Sequence, residues 1–235
     1  MSKEGTIGDF IAIQRHEFNN LWSSSLSLHQ KREGVFLPEV AGNFGLLSLV
    51  VRLADIKEQV NLCQNQISTI APAQFSYPLS SVHITVMNFN SFCGDPTRVT
   101  DGDVEKINSI CDNVSKDMKP FVMEAVGLGL SPTTVFIEFI QKSESLRKIR
   151  KELEKKLPKV TGKNNFSDSK INMNLAYANI LRMRSYDNIG ALIDYVSAHR
   201  TRYLGIMVTR RMELVLTDKV MSSERTKTCS TFSLE

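Results

Sequence analysis

The sequence predicts an α+β fold on three observations. Short segments alternate apolar and polar residues at period two, the stretches between them carry apolar residues three and four apart, and a strand, helix, strand order recurs in each half of the chain. With 235 residues and 42% hydrophobic content, the chain can bury a sizeable core as one large domain or two tightly joined lobes.

The elements follow in order. Thr6 and Asp9 stand at capping-box spacing, and Phe10, Ile13, Phe18, Leu21 and Trp22 recur near the helical period, which predicts an amphipathic helix ahead of the core fold. Ser23 to Gly34 reads as a loop, and the segment through Pro38, Gly42 and Gly45 as irregular chain. Residues 1–43 are therefore expected to form an N-terminal helical extension and loop, and residues 44–235 the main domain. Leu46 to Leu53 reads as a strand, and Ile56, Val60, Cys63, Ile67 and Ile70 mark the stripe of a helix. Ser81 to Phe89 is a strand because Val82, Ile84 and Val86 alternate with their neighbours. Asp95-Pro96 breaks the chain before a helix carrying Val104, Ile107, Cys111, Val114 and Met118.

Phe121 to Val126 and Thr133 to Ile140 read as a strand pair joined through Gly127, Gly129 and Ser131-Pro132. The helix Ser145 to Leu157 turns Leu146, Ile149, Leu153 and Leu157 inward and Arg147, Lys148, Arg150, Lys151, Lys155 and Lys156 outward. A loop, Thr161 to Lys170, leads to a strand over Ile171 to Ile180, after which Asp187 caps a helix with Ile189, Leu192, Ile193 and Val196. Strands near Tyr203 to Thr209 and Glu213 to Thr217 complete this half, and Thr226 to Leu234 reads as a final strand or a tail.

Composition narrows the function classes. A net charge of +4 is mild for a dedicated nucleic-acid binder, yet Arg182, Arg184, Arg200, Arg202, Arg210 and Arg211 cluster late in the chain, where guanidiniums could pair with phosphate. Met1 to Gly5 lacks the apolar core of a signal peptide, and the longest apolar stretch, Phe44 to Ala54, is too short to span a bilayer. A soluble, cytoplasmic protein without a membrane partner is expected. Cys63, Cys93, Cys111 and Cys229 have no metal-binding or redox spacing, and His16, His29, His83 and His199 are scattered, so neither a metal nor another cofactor is expected.

Two strands carry the chemistry. On Ser81 to Phe89, an inward Val/Ile face leaves His83 and Thr85 together on the other side, an imidazole beside a hydroxyl that can hold an anion's oxygen. On Ile171 to Ile180, Asn172 and Asn174 share a face with Ala176, opposite Ile171, Met173, Leu175 and Tyr177. His83-Ile84-Thr85 and Asn172-Met173-Asn174-Leu175-Ala176 together resemble the two His-x-Ser/Thr motifs of the 2H phosphoesterase superfamily, which includes the 2′-5′ RNA ligase-like and cyclic phosphodiesterase proteins. The first motif matches residue for residue. In the second, asparagine replaces both the histidine and the hydroxyl residue.

The resemblance implies a two-lobed, pseudo-symmetric fold of central antiparallel sheets and outer helices, with phosphate bound between the motifs. It implies a metal-independent phosphodiesterase acting on a cyclic phosphate, a 2′-5′ linkage or a related nucleotide or short RNA. His83 would be the proton-transfer residue, and Thr85, Asn172 and Asn174 the phosphate holders. Such chemistry needs one group to take a proton and another to give one, and an asparagine amide cannot exchange a proton near neutral pH. The alternative is a catalytically inactive pseudoenzyme that binds nucleotide, RNA or a protein partner. His16 and His29 are open candidates for the missing proton-transfer group. His199-Arg200-Thr201 repeats the tripeptide, but at the end of a helix.

Overall fold

The computed structural model describes residues 6–33, 45–93, 98–157, 172–218 and 221–235. Helix α1 (Ile7–Gln30) starts at the expected capping box, in which the Thr6 hydroxyl accepts from the Asp9 amide at 3.2 Å and the Asp9 carboxylate accepts from the Thr6 amide at 2.8 Å. The helix continues through the serines expected to form a loop. Ser25 and His29 extend the buried stripe of Phe10, Gln14, Phe18 and Trp22, and the helix ends where Arg32 turns left-handed at φ 56°.

Strand β1 (Leu46–Arg52), helix α2 (Lys57–Ile70), the short β2 (Phe75–Ser76) and β3 (His83–Asn88) follow. Then come α3 (Asp101–Ser115), β4 (Phe121–Leu130), β5 (Thr134–Gln141) and α4 (Ser145–Lys156). The last elements are β6 (Ala176–Arg182), α5 (Ile189–Ala198), β7 (Gly205–Thr209), β8 (Arg211–Thr217) and β9 (Lys227–Ser233). The C-terminal segment is thus a strand. The expected irregular segment through Pro38 and Gly42, the break at Asp95-Pro96 and the loop from Thr161 to Lys170 lie outside the described residues.

The strands form one curled antiparallel sheet in the order β7-β4-β5-β6-β3-β1-β8-β9, with β2 pairing on β6. Leu47, Leu49, Val51, Ile84, Val86, Ala178 and Ile180 point to one face and join α2, α3, α4 and α5 residues in the main core. Helix α1 also packs on β4 and β5, where Phe18 joins Phe136, Ile140 and Leu175 in a separate apolar cluster. No helix among the described residues is long and apolar enough to cross a membrane.

Four expectations are corrected locally. Gly127 and Gly129 lie inside β4 rather than in a connection. Gly127 has φ 156°, and a Cβ there would lie 1.9 Å from the Arg200 carbonyl oxygen, so this bulged strand passes under the end of α5 where only glycine fits. Helix α5 is preceded by Asn188 in the left-handed conformation, with no side-chain cap from Asp187. On α4, Arg150 faces inward and is 2% exposed, because residues 146, 149, 150 and 153 form one continuous inner stripe. The second motif strand begins only at Ala176, so Asn172 and Asn174 precede it in a turn.

Candidate functional site

The central pair β3 and β6 builds the site. Ile84 pairs antiparallel with Ala178, and both side chains are fully buried in the core. Antiparallel alternation about that pair sets His83 opposite Asn179 and Thr85 opposite Tyr177, with all four side chains on the other face. The next strand, β5, places Phe136 opposite Asn179 and Glu138 opposite Tyr177.

Hydrogen bonds fix the state of His83. Its Nδ1 lies 2.7 Å from the Ser81 carbonyl, which can only accept, so Nδ1 carries the proton. Its Nε2 then accepts from the Thr85 hydroxyl at 3.1 Å. Burial pulls the imidazole down to about 4, opposed by the Ser81 hydrogen bond and reinforced by positive Arg52. The result is a neutral base whose lone pair faces the hydroxyl beside it.

The facing strand carries different chemistry. Burial pushes the Tyr177 phenol above its ordinary value, so it remains a hydrogen-bond donor at neutral pH. The Asn179 Oδ1 accepts from the Thr134 hydroxyl at 3.0 Å. Tyr177 stacks at a tilt on Phe136, centroids 5.1 Å apart, and Phe136 leads on to Phe18 of α1 at 6.1 Å.

Asn172 and Asn174 serve the turn before β6. The Asn172 Oδ1 accepts from the Asn174 amide at 3.0 Å, an Asx turn, and the Asn174 side-chain amide donates to Glu17 of α1 at 2.7 Å. Arg150 clasps this turn to the His83 strand. It donates to the carbonyls of Thr85 at 2.8 Å and Val86 at 3.0 Å, and to those of Asn172 at 3.0 Å, Met173 at 3.3 Å and Leu175 at 2.7 Å. Burial lowers its guanidinium to about 10, which leaves it charged at neutral pH.

The other histidines stand apart. His16 lies 3.1 Å from Asn20 on the exposed side of α1, and buried His29 donates from Nε2 to the Ser131 carbonyl at 3.0 Å. His199 ends α5, with Nδ1 bonded to the Tyr195 carbonyl at 2.7 Å. Among the arginines, Arg182 donates to the Tyr77 hydroxyl at 2.8 Å, Arg184 covers the Phe75 ring at 4.7 Å, and Arg200 covers Trp22 at 4.4 Å. No group of three or more potential metal ligands is gathered among the described residues.

Glu138 is the residue that the sequence reading missed. It is 6% exposed, its Oε1 has no hydrogen-bond partner among the described residues, and burial raises its carboxyl to about 7 against the lowering effect of Arg200. It borders a cavity of about 460 Å³ between α1 and the β4–β5 face, with Arg15, Asn19 and Arg200. A lone acid inside the apolar run Thr-Val-Phe-Ile-Glu-Phe-Ile was the available signal.

No family model and no curated protein matches the sequence. Solved structures do match. TT0787 of Thermus thermophilus superposes with a TM-score of 0.59 at 13% identity, over 80% of this chain and 97% of that one. Escherichia coli LigT, complexed with NADP+, gives 0.54 at 11% identity, over 81% and 98%. A structure described as a phosphoesterase gives 0.53 at 12% identity, over 82% and 99%. With its curled antiparallel sheet and outer helices, the chain has the fold of the 2H phosphoesterase superfamily.

Proposed function

We propose that the chain binds the phosphate of a nucleotide or short RNA at His83 and Thr85, and that it is a phosphodiesterase whose turnover is severely impaired. One observation carries this reading: His83 is held as a neutral base against Thr85, while the strand facing it offers Tyr177 and Asn179, neither of which exchanges a proton readily near neutral pH. Escherichia coli LigT has been crystallised with phosphate, 3′-AMP and ATP, which supports a phosphate-bearing ligand for this cleft. In the same reading, Asn172 and Asn174 hold the turn and the α1 contact rather than phosphate. The positions a second His-x-Thr would need are Tyr177 and Asn179. They reproduce, antiparallel, the relation of His83 to Thr85.

The test is restoration of turnover on a 2′,3′-cyclic nucleotide. The parent should turn over slowly or not at all, and Tyr177→His with Asn179→Thr should raise the rate by about 10² or more, the usual contribution of one acid or base. His83→Ala should abolish the gain. Turnover by the parent at the rate of the restored variant, or an equal gain from Asn172→His alone, would overturn this account. Binding is read separately: 3′-AMP should raise the melting temperature, less so after Thr85→Val.

A further inference from the structure

We propose that a second phosphate-binding position lies beside the His83 site, at the β7–β8 junction, so that the ligand is a chain of phosphates rather than a single phosphoester. The inference rests on the reading above and extends it to the class of ligand. A cavity of about 260 Å³ lies there, lined by Arg52, Asp55, Thr209, Arg210, Arg211 and Glu213 among others. Strand β7 ends at Thr209 and β8 begins at Arg211. Arg210 alone therefore joins strands that lie far apart in the sheet order, and the bend gathers two guanidiniums and a hydroxyl at one place.

The partners of these groups point to an anion. Glu213 is paired with Arg52 at 3.1 Å, and Asp55 accepts the Val208 amide at 2.9 Å and keeps its charge, so the lining sets three guanidiniums against two carboxylates and remains net positive. Arg210 and Arg211 are exposed residues that border the same cavity, and their side chains make no hydrogen bond or ion pair among the described residues. Thr209 is 2% exposed, and its hydroxyl has no partner among the described residues. The buried hydroxyl lacks an acceptor, and the two solvated guanidiniums at the same cavity are free to pair with one that enters. Phosphate oxygens supply acceptors of matching charge.

Register places this position relative to His83. Arg52 pairs with His83 across β1 and β3, and Val50 pairs with Glu213 across β1 and β8. Two strand spacings, roughly 10 Å, separate β3 from β8. One or two nucleotide steps span such a distance once the arginine side chains reach inward. A single phosphate at His83 would leave the second position empty, whereas a short oligonucleotide or a polyphosphate would fill both.

Titration of the full chain with 3′-AMP, ATP and a 5′-phosphorylated adenosine trinucleotide over a salt series tests this. The trinucleotide should bind at least tenfold tighter than 3′-AMP. Arg210→Ala with Arg211→Ala should bring that ratio towards one and lower the salt slope for the trinucleotide by about 0.7 for each phosphate that is no longer neutralised. Thr209→Val should reduce the ratio in the same direction. An equal gain for ATP identifies a polyphosphate, and a gain confined to the trinucleotide identifies an oligonucleotide; both support a second position. If 3′-AMP binds but neither the trinucleotide nor ATP binds tighter, or if the arginine variants leave ratio and slope unchanged, the second position is refuted while the His83 site stands. If none of the three ligands binds, the His83 reading itself fails and this inference falls with it.

Discussion

His83 and Glu138 share one face of the sheet, and the fold favours the neutral form of each, one a base and the other an acid. His83 falls from 6.5 to about 4, so the unfolded chain binds its proton more readily. The stability it contributes is whole above about 6.5 and is lost as pH falls towards 4. Glu138 rises from 4.5 to about 7, so its contribution is whole below about 4.5 and is lost as pH rises through 7. The two slopes oppose one another between these limits. Glu138→Gln should therefore gain melting temperature relative to the parent on going from about pH 4.5 to about pH 8, and His83→Asn should gain relative to the parent on going from about pH 6.5 to about pH 4. A Glu138→Gln difference that does not move with pH would mean that the carboxyl titrates as an exposed one does. At this scale, the shared face of His83 and Thr85 was legible because the alternation around Ile84 is real in the fold. The alternation expected over the second motif holds only from Ala176 onward: residues 172–175 are not strand, and in β6 it is Tyr177 and Asn179 that share the face of His83. Arg150 was misread by its charge, although its spacing from Leu146, Ile149 and Leu153 matched the inner stripe.

Helix α1 is fastened to the sheet by a polar and an apolar contact. Gln14 lies fully buried between Phe10 and Phe18 on the inner stripe, where a polar residue hides the helical pattern from a sequence reading. Its carboxamide completes both halves of a backbone pairing. It accepts from the Gln141 amide at 2.9 Å and donates to the Gln141 carbonyl at 3.3 Å, so the last residue of β5 is paired by a side chain. The apolar attachment is in two parts: Phe18 against Phe136, Ile140 and Leu175 in a cluster of its own, and Trp22 in the main core. Phe18→Ala should therefore loosen α1 before it unfolds the sheet. Its cost, about 3 kcal/mol for a buried aromatic, should appear as faster amide exchange throughout α1 with smaller changes in β3 and β6. Uniform acceleration across α1 and the sheet would show that the helix and the sheet unfold as one unit.

For the molecule as a whole, the helices and most strands were legible because their apolar periods survive in the fold, but the order of strands in the sheet was not. Nothing local in the sequence records that β3 lies between β1 and β6. That arrangement depends on long-range contacts, among which the Arg150 guanidinium is the most demanding: it bonds residues 64 and 65 positions earlier and 22 to 25 positions later in the chain. Helix α4 can form by itself early, but its buried charge finds all its carbonyls only when two remote segments have already converged. The clasp is thus expected to close late in folding, after the transition state rather than creating it. Arg150→Met leaves those carbonyls without donors and should cost about 3 kcal/mol. The loss should appear as unfolding faster by about 10² with refolding nearly unchanged, and a refolding rate slowed by the same factor would instead make the clasp part of the nucleus. If the clasp closes last, it is also the first link to open, and the junction that carries His83 would come apart before the outer strands do.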